Sequence, residues 1–157
     1  FYEDGRRFIS RAGANSYDAV FVDAFGTLFS VPFHLTTVEA VGEIERLLAD
    51  DGVVIVNIGS ALNGPADGFL AATLATYRAV FPVVDVFKVD GDVEAGRVQN
   101  FIIVARKSEP EFPAEPHSQV KPLLANKIDL ARVRDGQVLT DELAPVELFA
   151  SRTARYR

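Results

Sequence analysis

The sequence has no cysteine and only two histidines, His34 and His117. Without cysteine the chain cannot form a disulfide, a cysteine-ligated zinc or iron–sulfur site, or a cysteine nucleophile. Two histidines do not predict a histidine-based metal site, so we expect no metal. A serine hydrolase triad is also unsupported, because Ser30 and Ser60 have no candidate His–Asp partners.

The sequence also lacks a basic stripe and a long apolar run. Its 16 Lys and Arg residues are scattered and are outnumbered by 22 Asp and Glu residues, for a formal net charge of −6. This balance disfavours nucleic acid as a partner. No apolar run approaches the roughly 20 residues that span a bilayer, and no signal-peptide pattern is present. We therefore expect a soluble, cytoplasmic chain with no membrane partner.

Apolar patterns predict alternating strands and helices over the first 106 residues. Continuous runs rich in Val, Ile and Phe are typical of strands in parallel sheets, covered on both faces. The predicted strands are 18–24, 53–60, 83–89 and 98–106. The predicted helices are 6–12, one that begins at Thr36 and one that begins at Asn63-Gly64-Pro65. Thr36 and Glu39 have capping-box spacing, and Gly52 would end the second helix.

The order of these elements predicts an α/β fold, namely the second half of a doubly wound, mostly parallel sheet with an antiparallel strand at its end. The last two strands should pair antiparallel, because the link between them is too short for a crossover helix. We divide the chain into a partial domain at 1–106, a linker at 107–119 and a closing segment at 120–157. The closing segment should contain a helix at 120–133 and a largely irregular remainder.

Polar side chains follow three successive predicted strands. Phe1-Tyr2 resembles the last residues of a further strand, which Asp4 follows; Asp23 follows the next strand, and Asn57 with Ser60 the one after it. Open α/β sheets bind ligands outside the carboxyl ends of their parallel strands. A half-solvated carboxylate at that edge becomes a strong acceptor or base when a ligand closes over it. Asp4 and Asp23 are also explained as turn residues, the more readily for Asp4, and both interpretations stay open on the spacing alone.

Four segments occur in an order that resembles the polyamine aminopropyltransferases, the spermidine and spermine synthases and their relatives. They are DGRRFI at 4–9, YDAVFVDAFG at 17–26, SVPFHLTT at 30–37 and LADDGVVIVN at 48–57. The resemblance covers about residues 1 to 105. The closing phrase LTDELAPVE, at 139–147, resembles the broader group of spermidine synthase-like proteins.

The resemblance implies a Rossmann-like class I methyltransferase fold, of which this chain supplies the C-terminal half. It implies transfer of an aminopropyl group from decarboxylated S-adenosylmethionine to a polyamine, with Asp23 as the base for the attacking amine. It also implies that Asp4 receives the adenine amino group and that Gly5 and Ala24 lie beside the cofactor. Further candidates for substrate contact are His34, Asn57 and Asp141. For His34 the alternative is a structural or solvated histidine, and for Asp141 it is a solvated turn cap.

Two departures from the family pattern leave other functions open. The family's second acid falls on Gly26, and the chain contains no Gly-x-Gly-type cofactor loop. Either the N-terminal half of the fold precedes Phe1, or the cofactor is no longer used. The alternatives are a non-catalytic scaffold or binding module, and a methyltransferase that uses S-adenosylmethionine. Strand 18–24 should be a sheet edge that pairs with an N-terminal segment or a second copy, and we expect a homodimer.

Overall fold

The protein forms a mixed α/β fold in a computed structural model, which describes residues 3–24, 32–91, 93–109 and 118–155. The strands are β1 (Tyr17–Val22), β2 (Leu48–Ser60), β3 (Val83–Lys88) and β4 (Gln99–Arg106). The α-helices are α1 (Gly5–Arg11), α2 (Val38–Leu47), α3 (Gly68–Arg78), α4 (Lys121–Leu124) and α5 (Val146–Arg155). Short 3₁₀ turns occur at Phe33–Leu35 and Leu130–Arg132.

The four strands form one sheet in the order β1-β2-β4-β3. β1 and β2 are parallel, while β4 is antiparallel to β2 and to β3. The predicted antiparallel pairing of the last two strands is confirmed. β4 lies between β2 and β3, however, instead of at the margin of the sheet. As a result β1, β2 and β3 all end at one edge, which we call the carboxyl edge.

One face of the sheet carries the core. Buried positions alternate along β2, β3 and β4 and lie side by side across the sheet, as Val54 pairs with Ala105 and Val56 with Ile103. Helices α2 and α3 contact β2, and α3 also contacts β3 and β4. Alternate strand residues point to the same face, so this register produces one continuous apolar layer beneath the helices.

β1 is less covered than the sequence predicts. The prediction of a strand buried on both faces is wrong, because Phe21 is 72% exposed and Ala19 is exposed as well. Among the described residues β1 pairs with β2 alone, so its outer edge is unpaired. The outer edge of β3 is covered, because Ile128 donates to the Val86 carbonyl in a backbone hydrogen bond of 2.8 Å.

Charged side chains reinforce β3. Asp85 accepts from Arg106 on β4 and pairs with Lys127 of the closing segment, each at 2.7 Å. Burial by itself would raise the pKa of Asp85, but the hydrogen bonds and charges of Lys127 and Arg106 outweigh burial and lower it. The carboxylate is therefore favoured in the folded protein.

The start of α2 differs from the prediction by one residue. The Thr36 hydroxyl donates to the Phe33 carbonyl at 2.7 Å, and Thr37 is the N-cap that accepts from the Ala40 backbone N–H. Glu39 does not reach back to the cap, because its carboxylate accepts from a residue of the closing segment. The start of α2 is thus built around a contact that is distant in sequence.

Two further helix bounds also correct the predictions. α2 ends at Leu47, and Gly52 lies within β2, because the chain passes directly into the strand that pairs with β1. α3 begins at Gly68, since Gly64 adopts a left-handed φ of 84° and turns the chain before the helix.

The closing segment is more helical at its end than predicted. The predicted helix at 120–133 is reduced to the single turn α4 and the 3₁₀ turn Leu130–Arg132. The remainder, predicted to be irregular, contains α5, which buries Val146, Ala150 and Thr153 at helical spacing. Residues 110–117, most of the predicted linker 107–119, lie outside the described residues.

Candidate functional site

Asp23 and Asn57 meet at the carboxyl edge. Val22 pairs with Val56, so the next residues, Asp23 after β1 and Asn57 in β2, lie side by side. The Asn57 Nδ2 donates to Asp23 Oδ1 at 3.1 Å. Within the described part of the chain, the buried Asn57 Oδ1 has no hydrogen-bond partner. The pair thus presents the exposed Asp23 carboxylate, an acceptor for a ligand that carries N–H donors, while the Asn57 Oδ1 behind it is buried.

Asp4 and His34 form a second polar pair. Asp4 is the N-cap of α1, where its Oδ1 accepts from the Arg7 backbone N–H at 3.0 Å. Its Oδ2 lies 3.1 Å from His34 Nε2. The hydrogen bond from the Arg7 backbone N–H lowers the pKa of Asp4 most, desolvation opposes it, and the charge and hydrogen bond of His34 lower it further. The side chain is 55% exposed, so this carboxylate is open to solvent and to a ligand.

An apolar groove of about 480 Å³ runs beside β1. Gly5, Asp23 and Ala24 line it together, although they come from two elements. Its remaining walls are apolar or aromatic and include Phe8, Ile9, Val20, Leu35, Ile44 and Leu47. A groove with apolar walls and few polar groups is the usual form of a small-molecule site.

Asp141 lies away from that groove and is already engaged. Its Oδ2 accepts from Arg6 Nη2 at 3.0 Å, and its Oδ1 accepts from the Thr37 hydroxyl at 2.6 Å. Arg6 Nη1 also donates to the His34 carbonyl at 3.0 Å and to Thr37 Oγ1 at 3.1 Å. We call Arg6, His34, Thr37 and Asp141 the Arg6 network.

The structure separates the sequence-predicted site residues into groups. Gly5, Asp23 and Ala24 line the groove, with Asn57 bonded to Asp23. The remaining predicted residues, Asp4, His34 and Asp141, are linked through mutual contacts or through Arg6. Ser60 is fully buried, and its hydroxyl bonds to the backbone of Ala66 and Leu70, which is a structural role. Gly26, where a second acid was expected, lies outside the described residues.

Sequence reasoning missed Arg6 and Thr37. Arg6 lies 135 residues from Asp141 in sequence, and no local pattern connects the two. The available signal was an arginine directly after Asp4-Gly5 and a second threonine after Thr36.

Among the described residues, no group of three or more His, Asp and Glu is arranged to hold a metal ion. Nor does the described part of the chain include a helix long and apolar enough to cross a membrane.

Comparison with known proteins relates the chain to solved structures. It is similar to a probable spermidine synthase from Corynebacterium glutamicum, with a TM-score of 0.61 and 24% identity over 95% of this chain and 50% of that protein. It is similar to a spermidine synthase in complex with the transition state analogue AdoDATO, with a TM-score of 0.60 and 15% identity over 98% of this chain and 46% of that protein. No protein-family model and no curated protein matches the chain.

A methyltransferase shares the same architecture. Human methyltransferase-like protein 13, in complex with SAH, matches with a TM-score of 0.51 and 21% identity over 100% of this chain and 59% of that protein. The chain spans about half the length of the solved structures that it matches. The shared feature is the fold, so the protein has a Rossmann-like α/β fold of the class I methyltransferase type.

Proposed function

We propose that the protein is a spermidine synthase-like aminopropyltransferase that moves an aminopropyl group from decarboxylated S-adenosylmethionine to a polyamine. The observation that carries the proposal is Asp23, which lines the apolar groove at the carboxyl edge and is held by Asn57. The similarity to spermidine synthases, one of them in complex with AdoDATO, supports the same reaction class.

In this proposal Asp23 is the general base. An alkylamine is mostly protonated at neutral pH and has no lone pair to donate until it loses a proton. A carboxylate positioned at the groove accepts that proton. The amine nitrogen then bonds to the carbon beside the sulfonium, the carbon–sulfur bond breaks, and its electron pair returns to sulfur. Methylthioadenosine leaves as a neutral thioether.

Asn57 would position the base, because its Nδ2 donates to one carboxylate oxygen of Asp23 and leaves the other oxygen for the amine. Holding amine and donor together provides much of the remaining rate enhancement, because orientation replaces a bimolecular encounter. Gly5 and Ala24 would lie against the donor, and Asp4 would receive its adenine amino group.

The test is product release by the full-length protein. Incubation with putrescine and decarboxylated S-adenosylmethionine should release methylthioadenosine, and Asp23→Asn should lower kcat by about 10² to 10⁴, the usual range for a general base. Asp18→Asn is the matched control, because Asp18 is an exposed carboxylate at the other end of β1. The proposal fails if no methylthioadenosine is released or if Asp23→Asn matches the wild type.

A methyltransferase is the second candidate, favoured by the fold shared with human methyltransferase-like protein 13 in complex with SAH. The same assay run with S-adenosylmethionine distinguishes the two activities. Formation of S-adenosylhomocysteine and a methylated acceptor, with no methylthioadenosine, would select the methyltransferase. Absence of both activities and of saturable methylthioadenosine binding would select a non-catalytic scaffold.

A further inference from the structure

The Arg6 network connects Asp141 of the closing segment with α1, which Asp4 caps, and with the 3₁₀ turn that contains His34. Arg6 lies in the first turn of α1, two residues after Asp4, and its guanidinium bonds to the carbonyl of His34. The same guanidinium makes two hydrogen bonds to the carboxylate of Asp141, at 3.0 and 3.4 Å. An arginine and a carboxylate that are joined by two hydrogen bonds also fix each other's orientation.

Asp141 is held in place independently of Arg6. Leu139 is fully buried, and its backbone accepts from Val38 N at 2.8 Å and donates to Thr76 Oγ1 at 2.9 Å. The backbone N–H of Asp141 donates to Glu39 Oε2 at 3.0 Å. The closing segment therefore presents the Asp141 carboxylate from a fixed position between α2 and α3.

We propose that Asp141 is a positioning residue, which acts through Arg6 and Thr37 to hold His34 against Asp4. His34 and Asp4 are 30 positions apart in sequence, and α1 has only seven residues. The local chain therefore does not fix the contact between them. Arg6 supplies that connection. Its guanidinium donates to His34 and Thr37, and its backbone follows Gly5, which lines the groove. The effect of Asp141 on ligand binding rests on the proposed function, whereas its effect on His34 does not.

The exposure of the pair argues for local positioning. The side chains of Arg6 and Asp141 are 24% and 48% exposed, and ion pairs as exposed as these contribute little to global stability. Substitution of Asp141 should therefore change the geometry of the Asp4–His34 contact more than the free energy of unfolding.

Two variants and one control test the proposal in the full-length protein. Asp141→Asn removes the charge while keeping the shape, and Arg6→Gln breaks the same contact from the other side. Arg134→Gln is the control, because it breaks the ion pair of the closing segment with Asp67 and leaves the Arg6 network intact.

The first measurement needs no ligand. Asp141→Asn and Arg6→Gln should each shift the ring proton signals of His34 and speed amide hydrogen exchange at residues 34–37 by about fivefold, comparable to the loss of one charge-assisted contact. Arg134→Gln should change neither quantity. Unchanged His34 signals and exchange rates in both variants, or equal changes in the control, would overturn the proposal.

The second measurement separates positioning from catalysis. Calorimetric titration should show about fivefold weaker binding of methylthioadenosine to Asp141→Asn, and the amine-transfer assay should show a raised KM for the donor with kcat within about twofold. A loss confined to kcat would contradict a positioning role. If the wild type binds no methylthioadenosine, the proposed function fails, and the His34 measurements still decide the role of Asp141.

Discussion

Thr76→Val should destabilise the protein by disconnecting the closing segment from α3. Thr76 is fully buried, and its hydroxyl accepts from the backbone N–H of Leu139 at 2.9 Å and donates to the Ala72 carbonyl at 2.8 Å. Valine has nearly the same shape and a similar helix propensity, so the substitution mainly leaves the Leu139 donor buried without a partner. An unsatisfied buried donor costs about 1–3 kcal/mol, and the added methyl group recovers about 0.8 kcal/mol at most. We expect a net loss of about 1–2 kcal/mol.

Thr73→Val provides a matched control on the same helix. Thr73 is 2% exposed, and within the described residues its hydroxyl has no hydrogen-bond partner. Replacing an unpaired buried hydroxyl by a methyl group should leave stability unchanged or raise it by about 1 kcal/mol. Urea unfolding gives the difference between the two variants, which should reach about 2 kcal/mol, or roughly 4–8 °C in Tm. Equal stabilities of the two variants would refute the role assigned to the Leu139 hydrogen bond.

Three further substitutions test the packing, the charges and the free edge of the sheet. Gly136→Ala should lower the free energy of urea unfolding by several kcal/mol, because the added Cβ would overlap the backbone of α3. Gly42→Ala, whose Cβ would meet no neighbouring atom, should raise it by about 1 kcal/mol, and equal effects of the two substitutions would contradict the packing. Asp85→Asn should lower the free energy of unfolding at pH 7, and because folding lowers the pKa of Asp85 the difference should shrink as the pH falls below about 4; a difference that persists at pH 2 would contradict this. If the protein pairs through β1 as a homodimer, Phe21→Lys should yield monomers in sedimentation while Leu123→Lys, also exposed, does not; a monomeric wild type would exclude the dimer.

The sequence was informative where the chemistry is local and repeated. Runs of Val, Ile and Phe located all four strands, and the short link at 90–97 predicted the antiparallel pairing of β3 and β4. The rule that ligands bind at the carboxyl ends of parallel strands brought Asp23 and Asn57 under consideration, and the structure places them in contact. Their catalytic and binding roles stay predictions.

Sequence reasoning failed where a residue takes its role from a distant partner. Thr36 and Thr37 are both good caps by type, and the choice of Thr37 follows from the 3₁₀ turn that already uses the Thr36 hydroxyl. Gly52 was predicted to end α2 because glycine is a common residue after a helix. The helical pattern gives no sign that β2 already pairs with β1 from Leu48 onward. For Asp141 the sequence favoured a solvated turn cap over a ligand contact, and it gave no sign of the arginine partner, which lies 135 residues away.

The position of β4 has a consequence for how the sheet assembles. β3 has no strand contact with β2, and β4 is the only described strand that joins them. A ribosome that has released residues up to 98 has therefore produced one parallel pair and one strand, β3, that has no strand partner, with the pairing edge of β2 still open. The sheet becomes a single cooperative unit only when β4, the last of the described strands, enters its middle, a non-local step that slows folding. Substitutions that weaken β4 should thus separate β3 from the rest of the sheet before they unfold β1 and β2.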